Sequence, residues 1–295
     1  MKRTLACAVA VGALITALTA CTGTGTAPTA SQPSAGHADP KIEAIVPASL
    51  KSKTITMATD ASYAPFESYA ADHTTIVGFD VDMVNAAFAK MGLKAQIVNA
   101  GFDTIIPGLA AGRYDLSASA FAVTAERAKV VDFVDYMQGG SALAVAKGNP
   151  QNLRMDPLAL CGRPIGAEKG STQAIDQLPA IQQKCQAAGK QAVDVQLYPS
   201  TDAMELALTS GRVVAVFSGG TGLAVQTKAS QGKIELAPGP LYDPVPDGVA
   251  FPKNSPLVKP FAAAVKAMYA DGSMKALAHK WGLPDADMLP ASELR

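Results

Sequence analysis

Residues 101–127 read GFDTIIPGLAAGRYDLSASAFAVTAER, and this stretch decides the fold class. Asp103 stands where an N-cap belongs, at the head of a helical run over 103–111. Gly112 stops that helix, because a glycine just past the last helical residue takes the left-handed turn at little steric cost. Residues 115–120 then read as a strand. A helix, a glycine stop and a strand in immediate succession are part of an α/β alternation, and the same alternation extends in both directions.

Upstream, 54–58 alternates polar and apolar residues as a half-buried strand does, and 95–98 is a second strand. Between them, 79–91 places Val84, Phe88 and Met91 on one helical face. Downstream, 143–146 is an apolar strand. A second set follows: strands over 164–167, 193–198 and 213–217, with helices from Ser171 and over 201–209. A strand over 248–251 and helices over 255–270 and 273–280 close the chain. Two sets predict two α/β lobes with largely parallel sheets. The pattern leaves open whether the last segment returns to the first lobe.

The chain has 295 residues, 48% apolar and 17% charged, with 20 prolines, so it is long enough for one large or two medium cores and is not of disordered composition. Formal net charge is zero and the basic residues are scattered, which excludes the basic stripe of a nucleic-acid surface. No Gly-x-Ser-x-Gly elbow or HExxH helix occurs, and GAEKGS (166–171) places its lysine before the last glycine, the wrong order for a phosphate-binding loop.

The ends indicate export. Lys2 and Arg3 precede the apolar run 5–18, a secretory leader too short to favour a permanent membrane helix. It ends in LTAC (18–21), which resembles the lipobox of bacterial lipoproteins and implies lipidation of Cys21, with an ordinary leader and an incidental cysteine as the alternative. Residues 22–40 are rich in Thr, Gly, Ala, Ser and Pro and cannot bury enough surface to offset their ordering entropy. The expected divisions are a leader over 1–20 and a lipidated stalk over 21–49. Without residues 1–20 the chain has 23 basic and 25 acidic residues, a formal −2. Cys161 and Cys185 are the two cysteines left in the folded part, and in an exported chain two such cysteines are expected to pair. Two buried thiols are the alternative; the three histidines, His37, His73 and His279, are far apart in sequence and not near the pair, so no metal site is expected.

Several segments together resemble the polar amino-acid-binding members of the bacterial extracellular solute-binding proteins, family 3. They are TDASYAPFE (59–67), VGFDVD (77–82), GFDTIIPGL (101–109), AGRYD (111–115), VTAER (123–127), VDF (131–133), KGSTQ (169–173) and DGS (271–273), in order over about 50–283. The resemblance implies a periplasmic-binding-protein-like type II fold: two α/β lobes joined by a two-strand hinge, with the ligand cleft between them. Lobe 1 would comprise 50–142 plus 241–290, and lobe 2 would comprise 143–240.

The resemblance also implies roles. Arg127 matches the arginine that holds a ligand carboxylate, where a planar guanidinium offers two parallel donors that a lysine cannot reproduce. Thr172 matches the second-lobe grip on the same carboxylate, and Ser171 opens a helix whose free N–H groups favour an anion; an N-cap is the plainer reading of either. Tyr63 and Phe102 match aromatic walls around the ligand, or else belong to the core. Asp60 matches an acid that meets a ligand's cationic side chain, or else caps the following turn.

Two departures follow from the same comparison. Where the family has small hydroxyl residues or glycine, five and seven places before the arginine, this chain has Ala122 and Ala120, whose N–H groups remain for a carboxylate; Ser119 keeps a hydroxyl one place earlier. Where the family pairs an aspartate with the ligand's α-ammonium, this chain has Gly219, within FSGGTG (217–222). A buried ammonium needs a counter-charge, so either Glu168, Asp243 or Asp247 supplies it or the ligand has no ammonium. The expectation is a monomeric, lipid-anchored, extracytoplasmic capture protein without cofactor or catalysis. It would deliver a small polar carboxylate to the permease and ATPase subunits of an ABC importer. A cleft enzyme resembling cyclohexadienyl dehydratases, with Glu168 as its acid, and a receptor for a signalling partner are the rivals.

Overall fold

Short apolar runs form the strands of two five-stranded sheets, and the computed structural model describes residues 38–294. The leader and Cys21 lie outside the described residues. The strands are β1 (Ile55–Thr59), β2 (Ser62–Tyr63), β3 (Glu67–Tyr69), β4 (Ile76–Val77), β5 (Ala95–Asn99), β6 (Leu116–Ala122), β7 (Val131–Gln138) and β8 (Ser141–Ala146). They continue with β9 (Pro164–Glu168), β10 (Asp194–Tyr198), β11 (Ala215–Gly219), β12 (Ile234–Leu236) and β13 (Pro246–Pro252).

The first sheet runs β5-β1-β6-β13-β7 and the second β10-β9-β11-β8-β12. Each has a parallel half, β5-β1-β6 and β10-β9-β11, as βα alternation requires. The other half of each is antiparallel, which corrects the expectation of largely parallel sheets. The cause lies in the crossings between lobes. The chain leaves β7 through Gly139-Gly140 straight into β8, and returns from β12 into β13, with no helix to turn it around. The two crossings are tied together: Gly139 N–H donates to the Val245 carbonyl (2.9 Å), and Ser141 and Tyr242 exchange backbone bonds of 2.8 and 2.7 Å.

The last segment does return to the first lobe. β13 lies between β6 and β7, and helix Val258–Ala270 packs Phe261 edge-on against Phe88 (6.0 Å between centroids) and Phe251 (5.3 Å). Helix Phe79–Lys90 buries Val84 and Phe88, with Met91 at its C-cap, as its spacing predicts. In the second lobe, Cys161 and Cys185 are bonded, Cα to Cα 5.6 Å, fixing the turn after Pro157–Ala159 to helix Leu178–Ala187.

Two boundaries differ from expectation. Helices Pro40–Glu43 and Ala48–Lys51 bury Ile42 and Leu50 in the first lobe, and the turn between them buries Val46, with Asp39 capping the first helix through Lys41 N–H (2.9 Å). The packed body therefore begins within the stretch assigned to the stalk, because three apolar side chains spaced four apart find a core to enter. Helix Phe102–Ala110 starts at Gly101, so Asp103 is not its N-cap; the Phe102 N–H donates instead to Asp60 Oδ2 at 2.8 Å.

Candidate functional site: a cleft with one cation and several acids

The cleft between the sheets is lined by the ends of β1, β6, β9 and β11, by the turn before Gln173–Gln177, and by both crossings. Its volume is about 50 Å3, roughly three to five water positions. It gathers Asp60, Tyr63, Phe102, Ser119, Ala120, Ala122, Arg127, Glu168, Ser171, Thr172 and Gly219, every cleft residue expected from the sequence.

Arg127 lies in the one-turn helix Ala125–Ala128, whose N-cap Thr124 accepts the Arg127 N–H. Its guanidinium lies over the rings of Phe121 (5.2 Å) and Phe102 (5.6 Å) and is 7% exposed. Nη1 donates to the Ala122 carbonyl (3.0 Å) and Nη2 to the Gly170 carbonyl (3.2 Å). Burial lowers its pKa to about 10, and no described carboxylate forms an ion pair with it. Two of its five donors are used, which leaves a desolvated cation with free N–H groups facing the cleft.

The same cleft holds several acids. Glu168 ends β9, is 8% exposed, and has an Oε1 without a hydrogen-bond partner among the described residues. Burial first, and the charge of Asp60 next, push it up to about 8. Asp60 is raised mainly by burial; it accepts the Phe102 N–H at the head of helix Phe102–Ala110 and lines the cleft. Asp247, on β13, lies in the cleft wall and is raised well above its usual range, by burial and then by Asp80. Asp243 is exposed and accepts from Gln177 (3.2 Å), which makes it a poor buried counter-charge.

Other residues are engaged differently from expectation. The Ser119 hydroxyl donates to Glu67 Oε1 (2.9 Å) and accepts the Asp60 N–H (3.1 Å). Ala120 has φ +44, and this left-handed turn directs its N–H to Asp80 Oδ2 (2.9 Å), so that N–H is not free for a ligand's carboxylate. Ala122 contributes its carbonyl to Arg127. Ser171 Oγ accepts the Ala174 N–H (3.2 Å), a cap, while Thr172 faces the cleft 4% exposed. Tyr63 stacks on Phe66 (5.4 Å) and Phe102 on Phe121 (4.7 Å), so each is both wall and core. Sequence reasoning missed Gln173, whose Nε2 donates to Ser141 Oγ (2.7 Å), and Gln177; both project from the turn that Ser171 opens.

The lobes touch across the cleft. Lys169 pairs with Asp103 (2.7 Å), Tyr63 Oη donates to the Gly219 carbonyl (3.3 Å), and Gln226 Nε2 to the Ala64 carbonyl (2.9 Å). The Thr201 N–H donates to Ser62 Oγ (3.2 Å). These contacts define a closed form.

The description of the bacterial extracellular solute-binding proteins, family 3, fits residues 55–284. The chain is 29% identical over 247 residues, 83% of its length and 80% of the relative's, to the arginine-binding protein ArgT of Corynebacterium glutamicum. It is 29% identical to the ABC transporter arginine-binding protein 1 of Escherichia coli, covering 77% of this chain and 90% of that one. Among solved structures, an ancestral arginine-binding protein bound to arginine superposes with a TM-score of 0.69 at 29% identity, covering 78% of this chain and 98% of that one.

Proposed function

Since the chain belongs to the bacterial extracellular solute-binding proteins, family 3, and is therefore a substrate-binding protein, we propose that its substrate is a basic amino acid of the arginine type. The observation behind this reading is charge complementarity: one carboxylate-free Arg127 faces the buried acids Asp60, Glu168 and Asp247. A ligand with one carboxylate and two cationic groups complements that set, whereas a neutral or acidic amino acid leaves a buried acid without a counter-charge. The carboxylate lies on the free guanidinium donors beside Thr172, and the side-chain cation lies between Asp60 and Glu168. Relatives that bind arginine support the assignment.

Binding here is capture without chemistry. A cation beside Glu168 favours its ionised form, which is at odds with a proton-donating role. Contacts split between lobes favour the closed form, so the ligand shifts an open–closed population by its differential affinity. The proposed lobes are 50–142 plus 241–290, with the helices over 40–51 packed onto it, and 143–240. The protein is a monomer tethered outside the cytoplasm through lipid on Cys21, delivering its ligand to an ABC permease and ATPase.

A thermal-shift panel of the amino acids tests the reading. L-Arginine at a hundredfold excess over its Kd adds about 2.7 kcal/mol to stability, and Arg127→Ala abolishes the shift. A panel in which no basic amino acid stabilises the protein removes the proposal.

A further inference from the structure

A side chain at position 219, where the resemblance places the acid that pairs with a ligand ammonium, requires Tyr63 to move. A Cβ there would lie 2.4 Å from Tyr63 Oη, and one at Gly222 would lie 2.5 Å from the same atom. The Tyr63 phenol fills this volume and donates to the Gly219 carbonyl. The ammonium needs its counter-charge from another element.

We propose that Asp247, on the returning strand β13, receives the ligand's α-ammonium, so that the acid of this subsite has moved from the second lobe to the hinge. The proposal rests on the amino-acid reading above and names the residue that recognises the α-carbon end of the ligand.

The first support is register. Asp247 pairs with Ala122 of β6, and the Ala122 carbonyl holds Arg127 Nη1. Asp247 thus lies beside the strand residue whose carbonyl holds Arg127, and the two charges sense each other, yet they form no ion pair. An α-carbon bearing a carboxylate toward Arg127 and an ammonium toward Asp247 bridges them. The second is local geometry. The β13–β7 ladder shifts register between Asp247 and Gly248, and such a bulge re-aims a side chain. The carboxylate lies against Gly139, where any Cβ would stand 2.6 Å from Oδ1 and 2.8 Å from the Val245 carbonyl. The absence of a side chain at 139 makes the room that Asp247 occupies.

The third is the division of labour among the acids. Glu168 is coupled to Asp60 and Asp103, away from Arg127, while Asp247 is coupled to Arg127, Asp80 and Asp287. The cleft therefore has two poles: Arg127 with Asp247 for the α-carbon groups, and Asp60 with Glu168 for the distal cation.

Calorimetric titration with L-arginine and with 5-guanidinopentanoate, which keeps the carboxylate and guanidinium but lacks the ammonium, tests this. The wild-type protein should prefer L-arginine by about a hundredfold or more, the loss expected when a buried charge pair is left half-made. In Asp247→Asn the ratio of the two affinities should collapse toward one. Asp247→Ser, smaller and also uncharged, repeats the measurement if the Asn variant misfolds. A wild type without preference between the probes overturns the proposal even if neither variant folds. So does a folded variant that keeps the wild-type ratio. A wild type that binds neither probe overturns the basic-amino-acid reading itself, a result distinct from equal binding of both.

Discussion

Glu168 shows how a single side chain links ligand choice to stability. Its pKa stands near 8, against 4.5 for an ordinary glutamate, because burial and Asp60 disfavour the charge. The folded state therefore binds this proton more tightly than the unfolded state. Stability from this group is highest below about pH 4.5, falls as pH rises, and reaches its full loss above about pH 8. The whole effect is on the order of 5 kcal/mol. In Glu168→Gln that slope disappears, so the ligand-free variant should lose less melting temperature than wild type between pH 5 and pH 8. Parallel melting curves across that range would remove Glu168 as the source. Arg127, Tyr63, Phe102 and Thr172 were legible in the sequence because each lies in a short motif whose local structure positions it. Asp247 was legible only as one of three acids. Its place depends on a register shift between strands far apart in sequence.

At the level of elements, the turn at Gly170 governs closure. Gly170 has φ +80, and a Cβ there would lie 2.7 Å from the Asp103 Cα, a backbone atom of the other lobe that cannot swing away. Parting of the lobes would remove that neighbour. Gly170→Ala should therefore weaken L-arginine at least tenfold while ligand-free stability falls by only about 1 kcal/mol, the cost of the left-handed backbone. Scattering with and without ligand reads the same effect: wild type compacts on binding and the variant does not. Helix Thr201–Thr209 was read from sequence to the residue, since Ser200 caps it through the Ala203 N–H (3.3 Å) and its apolar side chains keep helical spacing. Helix Gly220–Ala229 was not read, because glycines at 220 and 222 signal a loop. Those glycines answer to tertiary contacts: Tyr63 denies a side chain at 219 and 222, and the Gly220 N–H donates to the Gly140 carbonyl (2.8 Å). β7 was missed as a strand, its apolar run broken by Asp132 and Asp135.

For the molecule as a whole, stability and binding are separable. The Cys161–Cys185 bond closes 24 positions within the second lobe and contributes no residue to the cleft. Replacing both by serine should cost about 3 kcal/mol in denaturant unfolding and leave L-arginine affinity within a few-fold; a large loss of affinity would mean that the bond shapes the cleft. Two lobes were legible from two runs of strands and helices. Their antiparallel halves were not, since only the paired crossings dictate them. The placement of β13 also sets the order in which the molecule can be completed. All five strands of the second sheet lie between residues 141 and 236, whereas the first sheet has a vacancy between β6 and β7 until residues 246–252 arrive. In a chain that emerges N-terminus first, the lobe begun earliest is finished last. Until then it presents two unpaired strand edges, a template for wrong partners that synthesis must outpace or shield.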